Sequence, residues 1–498
     1  MTEERTPVIV GVGQVEDRLK TDRRPLSALD LMVQSVLAAA ADAGGHGLDS
    51  VDRIAVVDAL SWENRPAPIH PDLIERLRLT PRRAETSPSP SGNYPVRFLN
   101  DAANAIAAGE CEVALVVGGE AMRSMGRRKA DGGGQPASGT EIIRAYRGGG
   151  EEDLPQRYDL LTPMDVYPFY EQATRHAWGQ SQSEATGETG AIWAENARVA
   201  AENPHAWIRG GWDVRRITEV AADNPMLTFP YTRAMVANSG VNQGAAVLLT
   251  SAGAARRAGI DERRLVTVGY GAAADEATHN LERETFSRSP AMQASLTRTL
   301  RLNGLETEDL DLVELYSCFP CVPKMARRIL RWPMERPHSV YGGLTFGGGP
   351  IGNCMTHAIA AMVEKLRAGA RAGLIFANGG FATRNHGIVL RRGVQTARDA
   401  LSYDVQAEAD RLRGPTPPLV SDYRGAAMLE TFAAPFAAGR PRYANVLALT
   451  PTGTRCLCRV PADDEGTLGW LTSGAEPVGS PGQVVSGPGG LAHWRRRH

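Results

Sequence analysis

The chain has 498 residues, 42% of them hydrophobic and 22% charged, and 55 basic against 56 acidic side chains leave a formal net charge of −1. That length supplies material for about two to four domains with a sizeable buried core. The near-balance gives no global field to attract nucleic acid or an anionic membrane, and no apolar stretch reaches the roughly 18–20 residues of a membrane span.

The six cysteines (111, 318, 321, 354, 456 and 458) are few and scattered. Neither Cys318/Cys321 nor Cys456/Cys458 meets a second pair, or histidines, at zinc-site spacing, so no metal is expected. Residues 1–7 are charged and run straight into Val8-Ile9-Val10 without the apolar core of a secretory signal. A cytoplasmic location is the expectation.

In chain order, a strand-like run at 8–13 ends in glycine, an amphipathic helix covers 28–44, and a strand covers 51–57. Gly92-Asn93 then opens an alanine-rich helix ending at Gly109, followed by a strand over 114–119. The same series returns as 266–271, 291–304, 310–316, a helix opened by Gly352-Asn353 and ended by Gly369, and 374–380. A repeat held in register over this distance is a duplication. Alternating strands and helices predict a mixed, mostly parallel sheet in each copy. Helices 96–108 and 355–366 are small or apolar nearly all round, the mark of buried helices. Two such helices at equivalent positions predict a helical layer between two sheets, hence an α/β fold of five layers, α-β-α-β-α.

The predicted organisation is a first half over 1–120, an insertion over 121–235, completion of the first half over 236–262, and a second half over 263–395. The insertion opens with the glycine runs 132–134 and 148–150 and reads as helical over 167–203. A linker over 396–418 leads to short strands at 446–449, 454–460 and 467–472, which predict a small β-barrel over 419–485. The Gly/Pro-rich residues 486–498 read as a disordered tail.

Over about residues 6–395 this layout resembles the thiolase superfamily, in particular the sterol carrier protein-linked type. The whole chain resembles bacterial thiolase-like proteins with an extra C-terminal β domain. Segment 167–207, with Ala201-Glu202-Asn203-Pro204-His205-Ala206, is similar to the loop domain that contacts CoA in those enzymes. Asn242-Gln243-Gly244-Ala245-Ala246 resembles the family's Asp-Gly-Ala-Ala strand. The resemblance implies a duplicated thiolase fold, an acyl-CoA thioester as partner, CoA as substrate carrier with no other cofactor, and a homodimer or a partner protein.

All four catalytic motifs of the family depart. Its nucleophilic cysteine opens the first buried helix, where a helix N-terminus and a histidine favour the thiolate; this chain has Ser91-Gly92-Asn93 there. The Gly-His-Pro motif reads Gly348-Gly349-Pro350, and Cys-x-Gly reads Asn378-Gly379-Gly380. The Asn-Glu-Ala-Phe or His-Asp-Cys-Phe motif reads Tyr316-Ser317-Cys318-Phe319. Conventional thiolase chemistry is therefore not expected.

Tyr316 is the leading catalytic candidate, at the C-terminal end of a core strand where open α/β sheets place ligands. A branch of the superfamily, retro-aldolases with a partner of oligonucleotide-binding type fold, uses tyrosine acid/base chemistry, and its tyrosine resembles Tyr316. His357, near the start of the second buried helix, is a candidate neutral base, or else a core histidine bonded to backbone. Asn93 and Asn353 either cap their helices or hold a thioester oxygen with adjacent N–H groups. Asn378 and His386 border the same predicted cleft. Cys318 and Cys354 are alternative nucleophiles, Cys354 because a helix N-terminus acidifies a thiol. Two functions remain open: C–C or acyl-transfer chemistry on a CoA-linked substrate, or non-catalytic acyl-CoA binding in support of another enzyme.

Overall fold

The computed structural model describes residues 3–18, 24–125, 154–395 and 399–497; the glycine runs that open the insertion lie outside them. Strands β1 (Pro7–Glu16), β2 (Arg53–Val56), β3 (Arg83–Thr86) and β4 (Val113–Ala121) belong to the first half. The insertion carries β5 (Met226–Phe229) and β6 (Tyr231–Thr232), and β7 (Asn242–Ser251) completes that half. The second half contains β8 (Val266–Asp275), β9 (Leu312–Leu315), β10 (Ala372–Gly379) and β11 (Arg384–Arg392).

Hydrogen bonding links these strands in the order β3-β2-β4-β7-β1-β8-β11-β10-β9. Read outward from the β1/β8 seam, β7, β4 and β2 on one side answer β11, β10 and β9 on the other. The strand directions match as well: antiparallel, antiparallel, then parallel on each side. The duplication expected from sequence is thus a structural one. The seam is short, Val8 opposite Thr267 and Ile9 opposite Val266.

Helix α1 (Ala28–Asp42) begins with a capping box at Ser27 and Asp30 and lies on the outer face of the first half. Gly11 and Gly13 let it approach β1 closely, since a Cβ on either would overlap backbone oxygens of Ala39 or Ser35. These glycines serve packing. Helices α2 (His70–Leu77) and α3 (Tyr94–Ala108) follow in the first half. The insertion supplies α4 (Pro163–Ala177) and α5 (Gln182–Glu202), in keeping with the predicted helical segment. The second half contributes α6 (Pro290–Leu302), α7 (Cys321–Leu330) and α8 (Cys354–Arg367). Helices α3 and α8 are the predicted buried pair and share the main core with residues of both halves.

Four expectations need correction. Neither half's ladder is mostly parallel: β1–β7, β4–β7, β8–β11 and β10–β11 are antiparallel, against the parallel pairs β2–β3, β2–β4 and β9–β10. The linker over 396–418 carries a helix, α9 (Gln406–Leu412), whose Ala409, with the preceding Val405, packs on α6 and β8. The segment expected as a strand over 467–472 forms most of α10 (Glu465–Leu471) and its C-cap Thr472, because Asp464 caps the helix by accepting from Thr467 N at 3.0 Å. The tail expected to be disordered contains β18 (Ala492–Arg496) and closes the barrel. After β12 (Leu419–Val420), β13 (Gly425–Ala437) and β14 (Arg440–Pro441) come β15 (Ala444–Leu449), β16 (Arg455–Val460) and β17 (Pro481–Ser486). The ring runs β13-β15-β16-β18-β17 and back to β13. Trp494 of β18 is fully buried over Gly482, where a Cβ would overlap its ring. Closure removes the sheet edges that five short strands would otherwise expose.

The barrel also joins the insertion, since β13 pairs with β5 at Ala434/Phe229 and Pro435/Thr228. Among the described residues no helix is long and apolar enough to cross a membrane.

Candidate active site

The Tyr316 ring fills the room beside Gly92. A Cβ on Gly92 would overlap the Tyr316 hydroxyl and stand 2.7 Å from both Tyr316 Cε2 and the Asn378 carbonyl oxygen. Tyr316 follows β9, and its backbone N–H donates to Phe376 O of β10 at 3.1 Å, which fixes the residue at the strand end. Its hydroxyl hydrogen-bonds the thiol of Cys354, the first residue of α8. Burial, reinforced by Cys354 and Cys318, pushes the Tyr316 phenol well above its ordinary value. The group is a neutral proton donor.

Tyr316 lines a cavity of about 210 Å³ with Ser91, Gly92, Tyr167, Cys318 and Gly349 among its neighbours. Apolar walls come from Leu60, Pro163, Met164, Val236, Phe319 and Phe381. Gly349 borders this space, and a Cβ there would stand 3.1 Å from Leu344 O and 3.3 Å from Asn238 O. Tyr167 of α4 stacks on Phe319 with ring centroids 4.6 Å apart. Its hydroxyl lies 3.5 Å from Asn378 Oδ1, accepts from Ala382 N at 3.2 Å, and hydrogen-bonds the Cys318 thiol. Burial pushes Cys318 up to about 12 and raises Cys354 strongly as well. Neither thiol is an activated nucleophile, and the helix N-terminus does not overcome desolvation at Cys354.

The β10–β11 turn forms the rim. Gly380, Phe381 and Ala382 take φ values of 62°, 63° and 61°, a left-handed turn that costs about 1–2 kcal/mol at each non-glycine residue. Side-chain donors hold it: Tyr170 Oη gives to Phe381 O at 3.0 Å, and Arg283 gives to Phe381 O at 3.1 Å and Ala382 O at 3.2 Å. Arg283 is itself anchored from the barrel. The fully buried Arg455 donates to Leu281 O at 2.8 Å and to Arg283 O, and pairs with Glu430 at 2.6 Å.

The other residues singled out from sequence do not converge on the cavity. His357 turns toward β1, its Nδ1 2.9 Å from Gln14 Oε1; burial, with His205 nearby, pushes it down to about 3. His386 packs against Tyr403 at 4.8 Å and is pushed down to about 3 by burial and by Arg97. Both imidazoles are neutral. Asn93 accepts from Ser91 Oγ at 2.8 Å, and the buried Asn353 has neither amide atom hydrogen-bonded; neither side chain caps its helix. Asn378 donates to Asn385 Oδ1 at 2.9 Å and stands behind Tyr167. Sequence reasoning missed Tyr167, Arg283 and Arg384, which also lines the cavity. Tyr167 had a faint signal in the aromatic run Tyr167-Pro168-Phe169-Tyr170; the two arginines had none.

A second, outer groove of about 650 Å³ adjoins the cavity and shares Met164, Val236, Ala237 and Ser239 with it. Trp212, Arg233 and Phe346 line it from the insertion and the second half, and Pro435, Phe436 and Arg442 from the barrel.

No protein-family model matches the chain, and no curated protein matches it. Solved structures do. A monomeric SCP2-thiolase like protein type 1 from Mycobacterium smegmatis is 26% identical with a TM-score of 0.80 and covers 100% of both chains. Human mitochondrial 3-ketoacyl-CoA thiolase, 14% identical with a TM-score of 0.60, covers 78% of this chain and 100% of its own. The Ltp2-ChsH2(DUF35) aldolase, 17% identical with a TM-score of 0.57, covers 79% of this chain and 99% of its own. With the duplicated strand order and the paired buried helices, these likenesses make the chain a member of the thiolase superfamily.

Proposed function

We propose that the chain acts on a CoA-linked substrate, making or breaking a C–C bond or transferring the acyl group without a covalent cysteine intermediate, with Tyr316 as proton donor. The observation that carries this reading is the Tyr316 hydroxyl standing where a side chain at Gly92 would be. As thioester oxygen gains negative charge, a neutral phenol in a dry site donates to it and lowers the barrier. Among the described residues no carboxylate and no histidine lines the cavity. Aldol cleavage suits such a site. Overall one proton leaves the β-hydroxyl and one arrives at the α-carbon, so the phenols of Tyr316 and Tyr167 can relay it without a resident charge. Solved structures of the same fold include an aldolase and a thiolase in complex with CoA.

The outer groove supports CoA as carrier. Arg233 and Arg442 offer cations for phosphates, and Trp212, Phe346 and Phe436 offer aromatic faces for a base. The barrel supplies its part of this wall in cis, so the reading calls for no second subunit, homodimer or partner protein.

One observation favours the alternative, an acyl-CoA binder that supports another enzyme: the Cys318 thiol and the Tyr316 and Tyr167 phenols that line the cavity are all held neutral. Calorimetry with CoA, acetyl-CoA and longer acyl-CoAs, followed by turnover of 3-hydroxyacyl-CoAs, separates the two. Tyr316→Phe is expected to lower turnover about 100-fold or more with little change in Kd. Unchanged turnover removes Tyr316 from the chemistry, and failure of every CoA ester to bind removes both readings.

A further inference from the structure

Charge at the inner cavity is confined to a single side chain. Of the described residues that line it, Arg384 alone is charged; the rest are apolar or neutral. Arg384 opens β11 directly opposite Gly379 of β10. Gly379 in turn packs so closely on Ser91 that a Cβ there would overlap its hydroxyl. Paired antiparallel residues have Cα atoms about 5 Å apart, so Arg384 stands one strand away from the meeting of Gly92 and Tyr316.

The guanidinium has no salt bridge among the described residues. Asp275, its direct cross-strand partner, feels Arg384 as the strongest of its neighbouring charges but forms no ion pair with it. The nearest aromatic face is Tyr94, 5.9 Å from the guanidinium carbon. Arg384 also borders a polar groove outside the cavity with Asn93, Arg97 and His386 on one side and Asp275 and Asp404 on the other. It therefore sits at the boundary between a largely apolar cavity and a polar groove. A half-buried guanidinium with no carboxylate in ion-pair contact gains from a ligand that brings one, and its planar fork binds a carboxylate through two parallel hydrogen bonds.

We propose that the inner cavity takes an acyl chain ending in a carboxylate, so that the substrate is a monothioester of a short dicarboxylic acid held at its far end by Arg384. This rests on the CoA reading for the carrier but not for the acid. The apolar walls accept the methylene chain, the Tyr316 hydroxyl meets the thioester, and the remote carboxylate meets Arg384.

The test compares adipyl with hexanoyl thioesters, equal in length, each on CoA and on N-acetylcysteamine, by calorimetry on the full chain and on Arg384→Gln. The expected result is about 10- to 100-fold tighter binding of the adipyl thioester on either carrier, as for one charged hydrogen-bonded contact. Arg384→Gln is expected to abolish that preference while leaving the hexanoyl thioester unchanged. Equal binding of adipyl and hexanoyl thioesters by the unaltered protein overturns the inference, whatever the variant does. An adipyl preference that survives Arg384→Gln overturns the assignment to Arg384. If the preference appears equally on both carriers and CoA adds no affinity, the CoA reading fails while the carboxylate site stands.

Discussion

The two halves of the core share a strand order but divide the work at the cavity. The first half brings wall and room to it: Leu60 and Ser91 line it, and Gly92, just before α3, contributes no side chain. The second half brings the side chains proposed to react or bind, Tyr316 after β9 and Arg384 on β11. Their buried acids differ as well. Glu120 of β4 accepts from Leu60 N at 2.5 Å, Ser61 N at 3.0 Å and Ser61 Oγ at 2.6 Å, whereas Glu314 of β9 accepts from Ser339 Oγ at 2.7 Å and Val340 N at 2.9 Å and leaves Oε1 unpaired. A duplication that keeps the scaffold frees each copy to specialise, because the strand ladder depends on backbone while the cavity depends on side chains.

The largest expected effect sharpens the contrast between the two glutamates. Burial pushes Glu120 up to about 7 and Glu314 up to about 8, from an ordinary value of 4.5. The fold favours the neutral form, so the stability these carboxyls contribute is full below about pH 4.5. It is lost as pH rises through about 7 for Glu120 and about 8 for Glu314, roughly 3 and roughly 5 kcal/mol respectively. Denaturant unfolding at pH 5, 7 and 9 measures the fall. Glu314→Gln is expected to flatten its upper part more than Glu120→Gln does, and identical profiles for the two variants would contradict the contrast.

Next come the paired glycines. Alanine at Gly92 meets the Tyr316 ring and a backbone oxygen, while alanine at Gly352 stands 2.9 Å from Pro90 C and 3.0 Å from Ser91 N. We expect Gly92→Ala to cost about 1–3 kcal/mol and Gly352→Ala less, as read by shifts in Tm. Part of the first cost should vanish in a Tyr316→Ala background, since only then is the ring's space free. If the double variant recovers nothing, Tyr316 is not what fills the room beside Gly92.

Tyr316→Phe removes a hydroxyl but keeps the ring, so its effect on stability should be small, about 0.5–1.5 kcal/mol for one hydrogen bond, despite the expected loss of turnover. The smallest signal belongs to the thiols. All six cysteines are buried and free, so the native protein at pH 8 should not react with a thiol reagent over minutes, Cys111 of the first half no more than Cys318 of the second. Rapid labelling of Cys318 or Cys354 alone would reopen a nucleophilic role in the second half.

The sequence by itself determined the duplicated core, because glycine-bounded strands and helices apolar all round follow from local pattern and recur at matching positions. It also offered, through the resemblance, glycine at 92 and 349 where the family's motifs carry cysteine and histidine. It did not determine the end of the barrel: residues 486–498 look too rich in glycine and proline to order themselves, yet Trp494 finds a deep apolar site only once four other strands surround it. Local propensity likewise misplaced 467–472, where a cap at Asp464 decides for helix. Helical phase alone could not say that His357 faces Gln14 rather than the cavity, a matter of which neighbour α8 packs against. Nor could it bring Tyr167 and Arg384 to one cavity, set Arg283 under its rim, or link that rim to Arg455 in the barrel, because those residues meet only across elements far apart in the chain. Tertiary structure decided the site because its chemistry lies in long-range contacts and in burial, and neither is written in local sequence.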